Sequence, residues 1–467
     1  MSLFLVGMDT TIVNVALPSI GRSFNTRVSG LQWTVDAYLL VIASLLMLSG
    51  SVGDRVGRRR VFQTGLALFA LGSLACSLAP GLGWLIAFRA LQAVGGSMMN
   101  PVALAIVTNV FIEPAERAKA IGIWGSTFGL SVAFGPVLGG ALVDSAGWRS
   151  VFWVNIPVCA AAIVLTARYV PESRAAIARR LDPVGQLLVI AALVSLSFAI
   201  IEGPDLGWGS VPVVACFVIA VASTAALIVW SARATQPLVD LRFFRSLPFS
   251  GAVLTALTGM CAFAGVLFLI TIYLQDVRGY SALTAGLFLL PMAVVMAASA
   301  PLCGRVMARI GSRVPLLIAG AGITAGGLLL TFLTAGSPVW YILLCGVVFG
   351  AGMGWVNAPA TNNAVAGMPR ARAGTASGIV STGRQVGSSL GVAVTGSVLA
   401  ANLHGSYAAG FASATRLAWW IVVAMGLCVL ALAMITTGRA GRASAERAAA
   451  LIERADLMTQ AEPARAA

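Results

Sequence analysis

Gly50-Ser51-Val52-Gly53-Asp54-Arg55-Val56-Gly57-Arg58-Arg59-Arg60 puts five charges into a neighbourhood that is otherwise nearly uncharged. Apolar runs of about twenty residues lie on both sides, each long enough to cross a bilayer as a helix. The stretch therefore reads as a tight loop between two transmembrane helices. Gly50, Gly53 and Gly57 are expected to let the backbone turn closely. Asp54 can accept hydrogen bonds or face a helix N-terminus. The arginines suit water and an anionic lipid surface. The stretch recurs downstream as Gly304-Arg305-Val306-Met307-Ala308-Arg309-Ile310-Gly311-Ser312-Arg313. Gly50 pairs with Gly304, Arg55 with Arg309, Gly57 with Gly311 and Arg59 with Arg313, at a constant offset of 304 − 50 = 254 residues. An internal repeat of that length in a membrane protein implies two similar helix bundles.

The rest of the chain agrees with a membrane setting. Its 467 residues are 59% hydrophobic and only 10% charged, far too apolar for an ordinary soluble domain. Fourteen spans are expected, near 2–20, 31–52, 61–79, 84–107, 119–143, 151–169, 185–202, 211–231, 249–273, 283–303, 315–335, 339–360, 374–400 and 416–437. A net charge of +14 invites a nucleic-acid reading. The distribution of the charge rejects it. Of 30 Lys and Arg, 23 fall on the side of Asp54, 5 on the other side and 2, Arg89 and Arg384, inside spans. That asymmetry puts the Asp54 side in the cytoplasm, and an even span count puts both termini there too. The seven cysteines all fall in apolar spans and read as small core residues. His404, the only histidine, falls in an outer loop. A histidine-built zinc site is thereby excluded, and neither a metal nor a cofactor is expected.

Several polar residues interrupt the apolar runs. Asp9 lies inside the first span, and a membrane carboxylate is costly enough to suggest a function. That span begins without a basic n-region or a cleavage site, so it does not read as a signal peptide. It is barely long enough to cross, which suggests that the true start lies upstream or that the chain was shortened. In the second span, Asp36 lies about a turn inside the outer end, between Trp33 and Tyr38. It is expected either to work in transport or to sit partly solvated at the outer mouth. In the fourth span Arg89 and Gln92 share a face, and proximity of Arg89 to Asp9 is expected. The fifth span is lined with glycines, including Gly129, Gly135, Gly139 and Gly140 around Pro136. Small residues permit close helix contact, and the proline bends its helix. The only lysine, Lys119, does not follow Gly-x-x-x-x-Gly, so no Walker A loop is present and direct use of ATP is not expected.

These residues resemble a known family. Gly50 to Arg60 resembles motif A of the major facilitator superfamily. Met8-Asp9-Thr10-Thr11-Ile12-Val13-Asn14-Val15-Ala16-Leu17-Pro18 resembles the first-helix signature of its fourteen-helix drug:proton antiporters, the EmrB/QacA type. Arg89-Ala90-Leu91-Gln92-Ala93-Val94-Gly95-Gly96 resembles motif B, with Ala93 where a glycine is usual. Gly135-Pro136-Val137-Leu138-Gly139-Gly140 resembles the antiporter motif C, with Ser131 in place of its earlier glycine. Ala308 replaces the motif A aspartate in the second copy.

The resemblance implies an all-α polytopic membrane protein with the major facilitator fold. Residues 1–170 would form one six-helix bundle and 249–437 the other. Residues 171–248 would hold a central loop and two inserted helices, and 438–467 a cytoplasmic tail. The implied activity is proton-coupled export of amphipathic, cationic or neutral drug-like compounds across the cytoplasmic membrane by a monomer. Asp9, Asp36 and Arg89 would couple the protons. Gly50, Asp54, Arg55, Gly57, Arg58 and Arg59 would form the cytoplasmic gate. Asn14, Tyr38, Trp124, Phe128, Asn357, Arg384 and Gln385 would line the substrate cavity. Import on the same fold is disfavoured by motif C. A receptor or lipid-modifying enzyme is disfavoured by the lack of a catalytic cluster. Cysteines placed near Arg58 and Arg179 should react from the cytoplasm and one near Gly336 from outside. Labelling of all three from a single side would refute this layout.

Overall fold

The computed structural model describes residues 2–452, apart from Ile112, 176–180, 235–236, Gly367, Arg370, Ala371 and Arg442. Arg179 and the tail beyond 452 therefore lie outside the described residues. Every regular element described is helical. The first half comprises α1 (Ser2–Phe24), α2 (Val28–Val56), α3 (Arg58–Ser77), α4 (Leu82–Val110), α5 (Pro114–Ala146), the short α6 (Ser150–Trp153) and α7 (Asn155–Tyr169). An inserted pair follows, α8 (Pro183–Leu206) and α9 (Val211–Arg233). The second half comprises α10 (Leu247–Ile272), α11 (Ala282–Ile310), α12 (Arg313–Leu330), α13 (Val339–Met353), α14 (Asn357–Val365), α15 (Ala373–Asn402) and α16 (Tyr407–Thr436).

Thirteen helical stretches among the described residues are long and apolar enough to cross a membrane. The span expected at 374–400 is present as the 30-residue α15. Its glycines, serines, Arg384 and Gln385 keep it below that level of hydropathy.

The sequence repeat is also a repeat of helices. Adding 254 to the ends of α2, 28 and 56, gives 282 and 310, the ends of α11. The packing repeats with it. In the first half α1 lies on α5, α2 on α4, and α3 on both α4 and α7. In the second half α10 lies on α15, α11 on α13, and α12 on both α13 and α16. The halves meet along two seams, α5 against α11 and α2 against α15, which the repeat exchanges. The inserted α8 packs on α2 and α15, whereas α9 packs mainly on α8 and is largely exposed along its length.

Lipid tails are as apolar as leucine, so close van der Waals contact has to hold such helices together. Glycine supplies it here. A side chain at Gly72 would meet the Gln92 backbone, and one at Gly95 would meet Phe69 and the Gly65 carbonyl. Gly50 and Gly53 serve the same end rather than turning the chain. Both lie within α2, against Pro101 and Val102 of α4. The expected three-glycine turn is thus a single residue, Gly57, at φ 130°, a conformation suited to glycine.

Gly95→Val should destabilise the protein by about 2 kcal/mol, since overpacking leaves these backbones nowhere to go. Gly83→Ala, with open space around it, should be near neutral. Thermal melting of the two purified variants in detergent checks the difference.

Candidate functional site

Side chains of α4 and α7 reach Asp9 of α1, and α2 and α3 complete the cluster around them. Arg89 Nη1 of α4 donates to Asp9 Oδ2 at 2.5 Å. Asp9 Oδ1 accepts from Gln92 Nε2 at 2.8 Å and from Asn155 Nδ2 of α7 at 3.0 Å. Ser73 of α3 accepts from Gln92 at 2.7 Å and from Asn155 at 3.3 Å. Arg89 also donates to Gln92 Oε1 at 2.7 Å and to the Thr34 carbonyl of α2 at 3.2 Å. Its guanidinium lies 4.2 Å from the centre of the Tyr38 ring, a cation–π distance. Asp9, Arg89, Gln92, Ser73, Asn155 and Tyr38 are all fully buried. The structure thus places Arg89 on Asp9, and adds Ser73 and Asn155, which the sequence reading did not single out. Neither Asn155 nor Ser73 belongs to a motif quoted above.

Asp36 needs a correction. It is not partly solvated at a mouth but 0% exposed. It lies against Ser197 of α8 and Ser389 of α15, yet neither carboxyl oxygen has a hydrogen-bond partner in proper geometry. The burial comes from α8 and α15, which both close over this face of α2. The repeat-related residue on α11, 254 positions on, is Leu290. These two fully buried carboxyl groups therefore differ, Asp9 held by a cation and two amides and Asp36 with only two serine hydroxyls beside it, neither in proper hydrogen-bond geometry.

Around Gly57, Asp54 Oδ1 accepts from Arg58 Nε at 3.1 Å and from Arg58 Nη2 at 2.9 Å. The segment after α7 then pairs with this loop. The Arg58 amide donates to the Ser173 carbonyl at 2.9 Å, and the Ala175 amide to the Asp54 carbonyl at 3.1 Å. Glu172 accepts from the Arg59 and Arg60 amides at 3.1 and 3.3 Å, capping α3 where its dipole favours an anion. A Cβ on Gly57 would meet the Glu172 carboxyl at 2.8 Å. The acidic group at a helix N-terminus is thus Glu172, and Asp54 is paired with Arg58 instead. Arg55 and Arg59 lie beside them, Arg55 exposed and Arg59 half-buried.

The glycines of α5 face two ways. Gly135 and Gly139 lie on Thr11 and Ile12 of α1. Gly129 lies on Ala297 of α11, Gly140 on its first residues, and Gly286 of α11 lies on Pro136. At the end of the molecule away from Asp54, polar contacts tie the two halves together. Asp144 of α5 accepts from the amides of Ala282 and Leu283 at 3.1 and 2.9 Å. Arg22 pairs with Asp276 at 3.0 Å. Gln275 donates to the Val15 carbonyl at 2.8 Å, and Gln32 to the Ala393 carbonyl at 2.7 Å.

Of the expected cavity residues, Asn14, Tyr38, Trp124 and Asn357 each bury one polar atom without a partner. Asn100 of α4 does the same and was not selected from sequence. Arg384 donates to the hydroxyls of Thr361 at 3.3 Å and Ser381 at 2.7 Å. Gln385 is half-buried beside it. The side chain of Phe128 lies outside the described residues. No cluster of metal-ligating side chains occurs among the described residues.

A bundle of apolar helices in two repeated halves, with charge buried inside and small residues along the seams, defines a multi-pass membrane transporter. The chain belongs to the Major Facilitator Superfamily, whose family model matches residues 1–392. It is 42% identical over 402 residues to the multidrug resistance protein Stp of Mycobacterium tuberculosis, covering 86% of this chain and 74% of that protein. It is 37% identical to the methylenomycin A resistance protein of Streptomyces coelicolor, with coverage of 84% and 82%. It is 33% identical to the multidrug efflux pump LfrA of Mycolicibacterium smegmatis, with coverage of 85% and 79%. Among solved structures, a POT family transporter aligns with a TM-score of 0.68 over 94% of this chain and 96% of that one, at 14% identity. A D-xylose–proton symporter aligns with a TM-score of 0.66, over 93% and 95%, at 15% identity. At such low identity these two speak for the fold alone. The chain is therefore a transporter and not an enzyme.

Arg89→Met should strand the Asp9 carboxylate and cost about 3–5 kcal/mol. Asn155→Leu removes one donor of three and should cost about 1–3 kcal/mol. Asp9→Asn added to Arg89→Met should recover part of the loss. Melting temperatures of the four proteins in detergent read the order.

Proposed function

We propose that the chain exports amphipathic drug-like compounds, cationic or neutral, from the cytoplasm in exchange for protons. The carrying observation is the pair of buried carboxyl groups, one compensated and one not, in a protein whose relatives are named as drug efflux pumps. It would work as a monomer in the cytoplasmic membrane, with the Asp54 side inward. The halves, residues 1–170 and 249–437, would rock about a central cavity that opens to one side at a time. The far-end contacts of Arg22, Gln275, Gln32 and Asp144 suit a state closed to the outside.

Within this reading the carboxyl groups divide the work. Asp9 and Arg89 hold a fixed polar hub that ties α1, α3, α4 and α7 together. Asp36 carries the proton. An unpaired charge buried away from water is very unfavourable, and a proton is the simplest partner for a carboxyl so placed. Asn14, Tyr38, Asn100, Trp124 and Asn357 offer unpaired polar atoms to a substrate. A buried unpaired donor or acceptor costs about 1–3 kcal/mol, which a bound ligand can relieve. On the cytoplasmic side, Asp54 would latch α2 to the start of α15 when that side closes, exchanging Arg58 for the new partner.

Inverted vesicles loaded with a pH gradient should accumulate a cationic dye such as ethidium and lose it when the gradient collapses. Purified wild type in detergent should release protons on adding the dye, Asp9→Asn should keep part of that release, and Asp36→Asn should lose it. Full release from Asp36→Asn, with none from Asp9→Asn, would return the coupling role to α1. Accumulation that ignores the gradient would sink the antiport reading.

A further inference from the structure

The repeat makes the two seams equivalent in backbone but not in covering. The α5–α11 seam carries glycines and Leu290, and its far end is capped by Asp144. The α2–α15 seam carries Asp36 and is overlaid by α8. The inserted helix thus covers the seam that holds the unpaired carboxyl.

Its bonds to the two sides of that seam are unequal. To α2, it is tied at both ends. Near the Asp54 end, Gln186 Nε2 donates to the Ser44 carbonyl at 2.6 Å. At the far end, the Trp33 indole donates to Glu202 at 2.7 Å. Arg27 and Ser29 both donate to Asp205, at 3.2 and 2.7 Å. The chain leading into α8 is also held to the α2–α3 loop through Ser173 and Ala175. To α15, α8 makes contacts between neutral groups. Ser197 and Ser389 hydroxyls lie 3.4 Å apart, and Ser397 donates to the Ile200 carbonyl at 2.6 Å. Hydrogen bonds to ionised groups are about twice as strong as those between neutral ones.

We propose that α8 moves as part of the first half, so that the far end opens between α8 and α15 and uncovers Asp36 to the outside. This rests on the rocking motion put forward above. When α15 withdraws, it takes Ser389 and the acceptors of Gln32 with it. Asp36 then keeps α2 on one side and Ser197 of α8 on the other, with the third wall replaced by water. When α15 returns, the carboxyl is sealed again. The inserted pair is in this way a wall of the proton's entry route, and its anchor is the Trp33–Glu202 bond with Asp205 beside it.

Distances between spin labels test this in the full chain freed of its seven native cysteines. Labels at Ser23→Cys, Leu206→Cys and Asn402→Cys report the far ends of the first half, α8 and α15, in variants that still transport ethidium. Conditions that open the far end should lengthen the distances from Asn402 to Ser23 and from Asn402 to Leu206 by similar amounts. The Ser23–Leu206 distance should stay unchanged. Trp33→Phe, which keeps the ring beside Phe198, should broaden the Ser23–Leu206 distribution and leave the other changes in place. If Leu206 keeps its distance to Asn402 and leaves Ser23, α8 follows the second half and the proposal is overturned. If Ser23 and Asn402 never separate under any condition, the rocking motion fails and the proposal falls with it.

Discussion

Arg89 is a full positive charge with no exposure, inside a bundle that faces hydrocarbon. Its attraction to Asp9 offsets the loss of water only with further hydrogen bonds around the pair. That condition explains why α1, α2, α3, α4 and α7 all send a group to the same place. It also explains the glycines at 72 and 95. Hydrogen bonds between side chains as short as serine, asparagine and glutamine require helix axes that nearly touch. Among the described residues the second half has no such hub at the related positions, and its half-buried Arg384 is met by hydroxyls. The halves share a backbone plan, then, but only the first is built around a charge pair.

Where the sequence was informative, it was so through spacing. The 254-residue offset of the two basic loops carried over to the ends of α2 and α11 without a residue of slippage. Asp9 and Arg89 stood out because ionised groups are rare within apolar runs. Other features depend on contacts that spacing does not encode. Asp36 lies near a helix end in sequence, and the packing of α8 and α15, each more than 150 positions away, turns that end into an interior. Asn155 and Ser73 are too common as residue types to announce a role. Glu172 caps a helix more than 110 positions earlier, a link that neither loop declares alone. Gly50 and Gly53 carried the right residue and the wrong reason, since a glycine that admits a neighbouring helix looks like one that turns a chain.

The seams show how one backbone plan can serve two purposes. Along α5 and α11 the contact is nearly all main chain, with Gly140 and Gly286 removing the side chains that would hold the helices apart. Along α2 and α15 a glutamine, a carboxyl and several serines share the contact with a third helix. The first suits a hinge line and the second a place where groups change partners.

The inserted pair has a consequence for the chemistry permitted at position 36. Without α8, that face of α2 would look out at acyl chains, which can neither donate nor accept a hydrogen bond. A carboxyl there would be left with Ser389 of α15 beside it and hydrocarbon on its open side. The acid and the extra helices are therefore one acquisition in physical terms. A chain that shed the pair would be under pressure to replace the acid with a leucine, as the α11 copy of the seam already carries.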